Sequence, residues 1–225
     1  MNKELLLERA KEFFRDVIVP NHKKNTEKLD NLKEFKINPF LLEYVANFYT
    51  GNGSNESKAK ALIIPRSLSQ SINTSFGQNA QLMITKMFAD GSTTSGIDIE
   101  FVDKLDNRKK WCQVKLGPNT INKDDIETII RHFKAVKNLA RTNNMDVRTT
   151  DLIIGVIYGD RNELSGNYIA LNEAYPVFVG EEFWHRLTGD KEFYSDLAKA
   201  IGEVASEVDG TKVLSDTVNK LKEKF

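Results

Sequence analysis

The chain has 225 residues, 40% of them hydrophobic and 28% charged, and its 32 basic and 32 acidic side chains cancel. A zero net charge argues against a protein that coats polyanions generally, although one basic cleft can be offset by acidic helices elsewhere. The single cysteine, Cys112, excludes an internal disulfide and a multi-cysteine zinc site. No apolar run is long enough for a membrane span, and the charged start from Met1 to Arg9 does not read as a signal peptide, so a reducing, cytoplasmic setting is expected.

Residues 3–18 read as an amphipathic helix with Leu6, Ala10, Phe13, Phe14 and Val17 on one face, ended by Pro20. A basic stretch follows, with His22, Lys23, Lys24 and Lys28. Asn38 and Pro39 then suit the N-cap and first position of a second helix, Phe40 to Tyr49. Residues 51–55 are a loop, and a short helix over about 56–63 leads to Pro65. The next segment, from Arg66 to Asn79, is rich in hydroxyls and amides. It reads either as a surface loop with a helix cap or as a donor-rich strip for phosphates and base edges, with Arg66, Ser69, Asn73 and Ser75 as the candidate DNA contacts. A helix over about 77–89 and a turn over 91–96 come next.

The segment from Gly96 to Lys115 is the most informative. Asp98 and Glu100 alternate along one strand, and Gln113 and Lys115 along the next, so each pair shares a strand face. Ile97, Ile99 and Phe101 would take the opposite face of the first strand, and Cys112 and Val114 that of the second. A two-residue turn at Asp106-Asn107 would set Asp98 opposite Lys115 and Glu100 opposite Gln113. Any unbulged even-numbered loop keeps all four on one face. Two carboxylates, an amide and a lysine gathered this way are costly unless they bind something; a divalent metal and a phosphate would satisfy them. The plain alternative is a hairpin with a solvated charged face. Arg108, Lys109 and Lys110 at its tip suit either solvent or a DNA backbone.

After Lys115 a polar loop leads to Asn122, a plausible N-cap, with Asp124 and Asp125 in the first turn of a helix that runs to about Asn143. Its inner positions are Ile126, Ile129, Ile130, Phe133, Val136 and Leu139. Asn119, Thr120, Asn122 and Lys123 are candidate phosphate contacts or simple loop and capping residues. His132 reads as a structural or phosphate-contacting residue. The β-branched run from Asp151 to Gly159 is a buried central strand. Residues 168–171 and 176–179 suit further short strands, and the chain turns helical from Glu181, ending in helices over about 190–207 and 211–224.

Phosphodiester hydrolysis needs an in-line water and stabilisation of charge on the phosphate, which bound Mg²⁺ supplies through oxygen ligands. Asp98 is the leading ligand, with the Gln113 side-chain oxygen and the Val114 carbonyl beside it. Glu100 is a second acid, and Lys115 would orient the water or stabilise the transition state. Asp98 followed fifteen positions later by Gln113-x-Lys115 resembles the PD-(D/E)xK nuclease superfamily, which includes most type II restriction endonucleases. Ile97 stands where proline is common. Gln113 stands where an acid is usual, as in the Asp…Gln-x-Lys variant, and Gln81 stands where the preceding helix often gives a glutamate. The loop from Leu116 to Asp125 resembles that of a PmeII-like group.

The expected fold is α/β: a restriction-endonuclease-like mixed sheet of four to five strands flanked by helices, with helical extensions at both ends. It would form a single nuclease domain over 1–225, with an N-terminal helical part (1–64), a catalytic core (65–180) and C-terminal helices (181–225). The resemblance implies a Mg²⁺-dependent type II restriction endonuclease acting on double-stranded DNA, with a homodimer expected by analogy. The alternatives are a repair, resolvase or Mrr-like nuclease with structural specificity, and a non-catalytic DNA-binding protein.

Overall fold

In the computed structural model, residues 2–88, 92 and 94–225 are described. Helix α1 (Lys3–Phe13) does not stop at Pro20. A π-helical turn, Phe14–Ile18, is closed by the Val19 N–H on the Phe14 carbonyl, and α2 (Val19–Glu27) begins directly after it. Pro20 thus stands just after the π-helical turn, whose wider spacing lets the helix continue past a residue that cannot donate.

Helix α3 (Pro39–Thr50) starts as its sequence dictates. Asn38 Oδ1 accepts from the Phe40 and Leu41 N–H groups, and Gly51 closes the helix at φ +76°. After α4 (Asn55–Pro65) the chain again stays helical, through a π-helical segment, Arg66–Ser71, into α5 (Ile72–Phe88). The expected loop over 66–76 is therefore helix. Residues 89–91 and 93, which include part of the expected turn, lie outside the described residues.

The hairpin strands are β1 (Ile99–Val102) and β2 (Lys109–Lys115). Helix α6 (Lys123–Thr142) opens on a reciprocal capping box between Asn122 and Asp125. It leads to the fully buried β3 (Leu152–Val156). Residues 166–172, expected in part to be strand, form helix α7 (Gly166–Asn172). Tyr168 and Leu171, three apart, both bury on one face, and a short apolar run of this kind does not separate the two periodicities. Strand β4 (Val177–Val179) follows as expected, and then α8 (Glu181–Thr188), α9 (Phe193–Ser206) and α10 (Gly210–Lys222).

The chain divides into two units, Met1–Ala10 with Ala80–Ala200, and Lys11–Asn79 with Ile201–Phe225. The first holds a four-stranded sheet in the order β1-β2-β3-β4, antiparallel between β1 and β2 and parallel thereafter. One sheet face carries Trp111, Leu152, Ile154, Val156, Val177 and Val179 and packs on Ile129, Phe133 and Val136 of α6 and on Tyr168 and Leu171 of α7. Ile97, expected on the other face, joins this cluster. Leu139 is exposed, and Ala140 takes the inward position. On the opposite face a side chain at Gly155 would run into the Phe183 ring. In the second unit Leu29, Ala59, Ile63, Val218 and Leu221 form a core, with Leu32, Phe35, Leu62 and Leu214 packed on it.

Register is the main correction to the hairpin. Ile99 pairs with Cys112 and Glu100 with Trp111, and the Asp98 N–H extends the ladder to the Cys112 carbonyl at 3.1 Å. The Asp103 N–H reaches the Arg108 carbonyl at 3.0 Å, so the loop holds Lys104 to Asn107, with Asn107 left-handed at φ 56°. A four-residue loop replaces the expected two-residue one. It shifts the register by two, sets Asp98 rather than Glu100 across from Gln113, and preserves the face.

Candidate active site

Asp98 sits at the mouth of the hairpin, and the shifted register lays it beside Gln113. Its Oδ2 accepts the Val114 N–H at 2.7 Å, and Oδ1 has no hydrogen-bond partner among the described residues. Burial raises the Asp98 pKa, against the lowering effects of the Val114 hydrogen bond and the Lys115 charge. A half-buried carboxylate with one free oxygen and incomplete charge compensation has the character of a cation ligand.

Gln113 is buried beneath α6. Its Nε2 donates to the Gly96 carbonyl and to His132 Nδ1, the latter at 2.7 Å. A carbonyl can only accept, so the amide nitrogen must face Gly96. That leaves Oε1 without a hydrogen-bond partner among the described residues. Gly96, at φ +79°, presses against the His132 ring, and a Cβ there would lie 2.6 Å from it.

Lys115 ends β2. The carboxylate that its Nζ pairs with is Asp125 Oδ1, at 3.9 Å, beyond hydrogen-bond range. The other Asp125 oxygen accepts the Asn122 N–H at 2.8 Å in the capping box. The lysine is therefore steered by a carboxylate at the start of α6 without being neutralised by contact.

Three of the expected residues, Asp98, Gln113 and Lys115, are gathered here. Glu100 is engaged differently. Its Oε1 accepts from Ser92 Oγ at 2.7 Å and Thr94 Oγ1 at 2.6 Å, and Oε2 pairs with Lys109 at 2.6 Å. Burial would raise its pKa, but these partners bring it down to about 2. Gln81 is exposed on α5, where its carbonyl accepts from Thr85 Oγ1. Among the described residues no group of three His, Cys, Asp or Glu side chains is disposed to hold a metal ion. A cation at Asp98 would lean on neutral oxygens, water and phosphate, a ligand set that suits Mg²⁺.

His132, read from the sequence as a structural or phosphate-contacting residue, and Asp125, read as a first-turn acid of the helix, were not expected to touch Gln113 and to face Lys115. The signals were there. His132 borders the buried stripe of Ile129, Phe133 and Val136, and Asp125 stands three residues after its cap.

The candidate DNA contacts are scattered in their surroundings. Arg66 donates to the Glu34 carbonyl and lies 5.2 Å from the Phe35 ring centre. Ser69 and Asn73 are exposed, whereas Ser75 is buried with its hydroxyl unpartnered. Asn119, Asn122 and Lys123 are exposed, Asn122 as the cap of α6. Thr120 Oγ1 donates to the Gly117 carbonyl at 2.8 Å and lies 3.1 Å from the Tyr168 hydroxyl.

At the hairpin tip the expected solvated charges are built into structure instead. Arg108 Nε and Lys110 Nζ reach the fully buried Asp151 at 2.9 and 3.0 Å, and Lys110 also reaches Asp106 at 2.6 Å. No helix among the described residues is long and apolar enough to cross a membrane.

A carboxylate, an amide oxygen and an unneutralised lysine at the end of adjacent strands form a set able to hold a cation and a phosphate with a water between them. No curated protein sequence matches the chain. The family model of the type II restriction endonuclease EcoO109I matches residues 8–209. The chain belongs to that family, and it is a type II restriction endonuclease that cuts DNA at specific sequences.

Proposed function

We propose that Asp98, Gln113 and Lys115 form the DNA-cleavage centre of this restriction endonuclease, in the Asp…Gln-x-Lys arrangement of a PmeII-like group, and that the centre works with Mg²⁺. The observation that carries this reading is the pair of oxygens, Asp98 Oδ1 and Gln113 Oε1, that have no hydrogen-bond partner among the described residues, on the same strand face as a lysine whose Nζ stands 3.9 Å from its ion-pair partner Asp125. Bound Mg²⁺ would stabilise charge on the phosphate and the leaving oxygen. Asp98, Gln113 Oε1 and the Val114 carbonyl would hold it. Lys115 positions the attacking water, and His132 fixes the Gln113 amide so that its oxygen faces the phosphate.

Glu100 serves this centre by anchoring Ser92 and Thr94 rather than by binding an ion. Asn119, Thr120, Asn122 and Lys123, which follow the lysine strand, contact phosphate, and Arg66, Ser69 and Asn73 contribute elsewhere along double-stranded DNA, whereas Ser75 is buried and serves the packing of α5. The enzyme acts as a homodimer in the cytoplasm, the two-fold symmetry matching the two strands of its site. Residues 1–225 work as one nuclease domain, in which residues 65–180 carry the catalytic core.

The test is a digest of DNA of known sequence by the purified chain, with Asp98→Asn as control. Discrete fragments in Mg²⁺, none in excess chelator, and none from folded Asp98→Asn are expected. Undiminished cleavage by Asp98→Asn removes Asp98 from the centre.

A further inference from the structure

The outward face of α3 is apolar from end to end. Phe40 is 85% exposed, Phe48 80%, Tyr44 63% and Tyr49 58%, with Leu41 and Val45 between them. The inward face, Leu42 and Ala46, is already packed, and α4 is the neighbouring helix. The helix carries no lysine or arginine. Its polar positions are locally engaged, Glu43 with Lys58 at 2.5 Å and the Asn47 amide with the Glu43 carbonyl at 2.8 Å. An exposed apolar face of this breadth is ordinarily covered by a partner.

The size of the patch says what covers it. With a fully exposed aromatic side chain taken as about 200 Å², the four aromatics alone present roughly 570 Å². Leu41 and Val45 bring the total to about 700 Å², more than the largest patch on most monomers and close to the roughly 800 Å² that each partner gives to a standard interface. DNA would require cations on this face, and a helix lying on a lipid surface would require them along its flanks; α3 has none, and Lys58 and Lys60 of the neighbouring α4 are ion-paired with Glu43 and Glu56.

We infer that this face is where two copies of the chain join, α3 against α3 in antiparallel fashion about a two-fold axis beside Tyr44. The pairing is self-complementary, as a two-fold contact must be. Phe40 of each copy meets the other copy's Phe48, and a groove of about 210 Å³ whose lining is apolar but for Lys60, with Val45, Phe48, Tyr49, Ile64 and Pro65 among its walls, receives it. Tyr44 stacks on Phe48 of the same helix, ring centres 5.9 Å apart, so the two rings present one continuous apolar surface. The inference rests on the homodimer proposed above and adds which surface makes it.

Sedimentation of the full chain tests both. The wild type is expected to sediment as a dimer at micromolar concentration. Phe40→Glu/Phe48→Glu, whose side chains are exposed and whose fold is checked by circular dichroism, is expected to be monomeric, with dissociation at least 100-fold more favourable. Tyr44→Cys is expected to form a covalent dimer under mild oxidant, since Cys112 is buried and does not compete. A double variant that still dimerises overturns this surface and leaves the homodimer intact, and a monomeric wild type overturns both. A monomeric wild type that floats with phosphatidylglycerol vesicles through these phenylalanines makes lipid the occupant and also overturns the inference.

Discussion

Replacing Gly96 with alanine tests how the amide of Gln113 is held. The residue sits at φ +79°, where an L side chain costs about 1–2 kcal/mol. The added methyl would also lie 2.6 Å from His132 Cγ and Cδ2 and 2.9 Å from Nδ1. Ordinary carbon contact is about 3.5–4.0 Å, so the ring must withdraw by about 1 Å. The ring is only half-buried and can do so, but it then leaves the 2.7 Å hydrogen bond with Gln113, worth about 0.5–1.5 kcal/mol. The two effects predict a loss of about 2–3 kcal/mol, read by urea unfolding, with cleavage reduced as Gln113 swings free. Adding His132→Ala removes the ring that clashes. The double variant is therefore predicted to be more stable than the sum of the singles by about 1 kcal/mol. A Gly96→Ala protein within about 0.5 kcal/mol of wild type and fully active would refute the reasoning.

Asp151→Asn, which leaves Arg108 and the buried Lys110 without their shared counter-ion, is predicted to destabilise the fold by about 3–5 kcal/mol, or about 10 °C in Tm by calorimetry; a shift under about 2 °C contradicts it. Glu100 and Asp151 both hold pKa values of about 2, despite burial, through their cationic and hydrogen-bonding partners. Their stabilisation is thus complete above the ordinary carboxylate range and is lost as pH falls from about 4.5 toward 2. Glu100→Gln should flatten that slope in acid unfolding curves, and an unchanged slope removes Glu100 from the account. Gln113→Glu would restore the acid usual in the superfamily but delete the donor to Gly96 and His132. A loss of about 1–3 kcal/mol at neutral pH, measured by denaturant titration and smaller at pH 5, is expected; equal stability at both pH values means that the amide nitrogen is not needed.

Much of the site was legible because its parts are local. Asn122, its capping partner Asp125 and the stripe of Ile129, Phe133 and Val136 define α6 from the sequence alone, and the β-branched run of β3 could only be a buried strand. The alternation of Asp98 with Glu100 and of Gln113 with Lys115 gave the strand faces. It did not give the register, because Asp106-Asn107 suits a two-residue turn as well as the end of a four-residue one.

Pro20 and the polar run after Pro65 looked like breaks. Each is carried by a π-helical turn, whose longer hydrogen bonds leave no mark in residue type. Glu100 and Asp98 are the same kind of residue two positions apart. What separates them is how the chain folds back, bringing Ser92, Thr94 and Lys109 onto one and the Val114 N–H onto the other. His132 was legible as a structural or phosphate-contacting residue, but its partner was not, because Gln113 lies nineteen residues away on a strand that the helix covers.

The most direct measurement is the single-turnover rate of DNA cleavage by Lys115→Ala in saturating Mg²⁺, alongside its unfolding curve. The account predicts a rate lower by about 100-fold or more with stability close to wild type, since the lysine Nζ makes no hydrogen bond among the described residues. A folded Lys115→Ala enzyme that cuts at the wild-type rate would contradict the assignment of the hairpin as the cleavage centre.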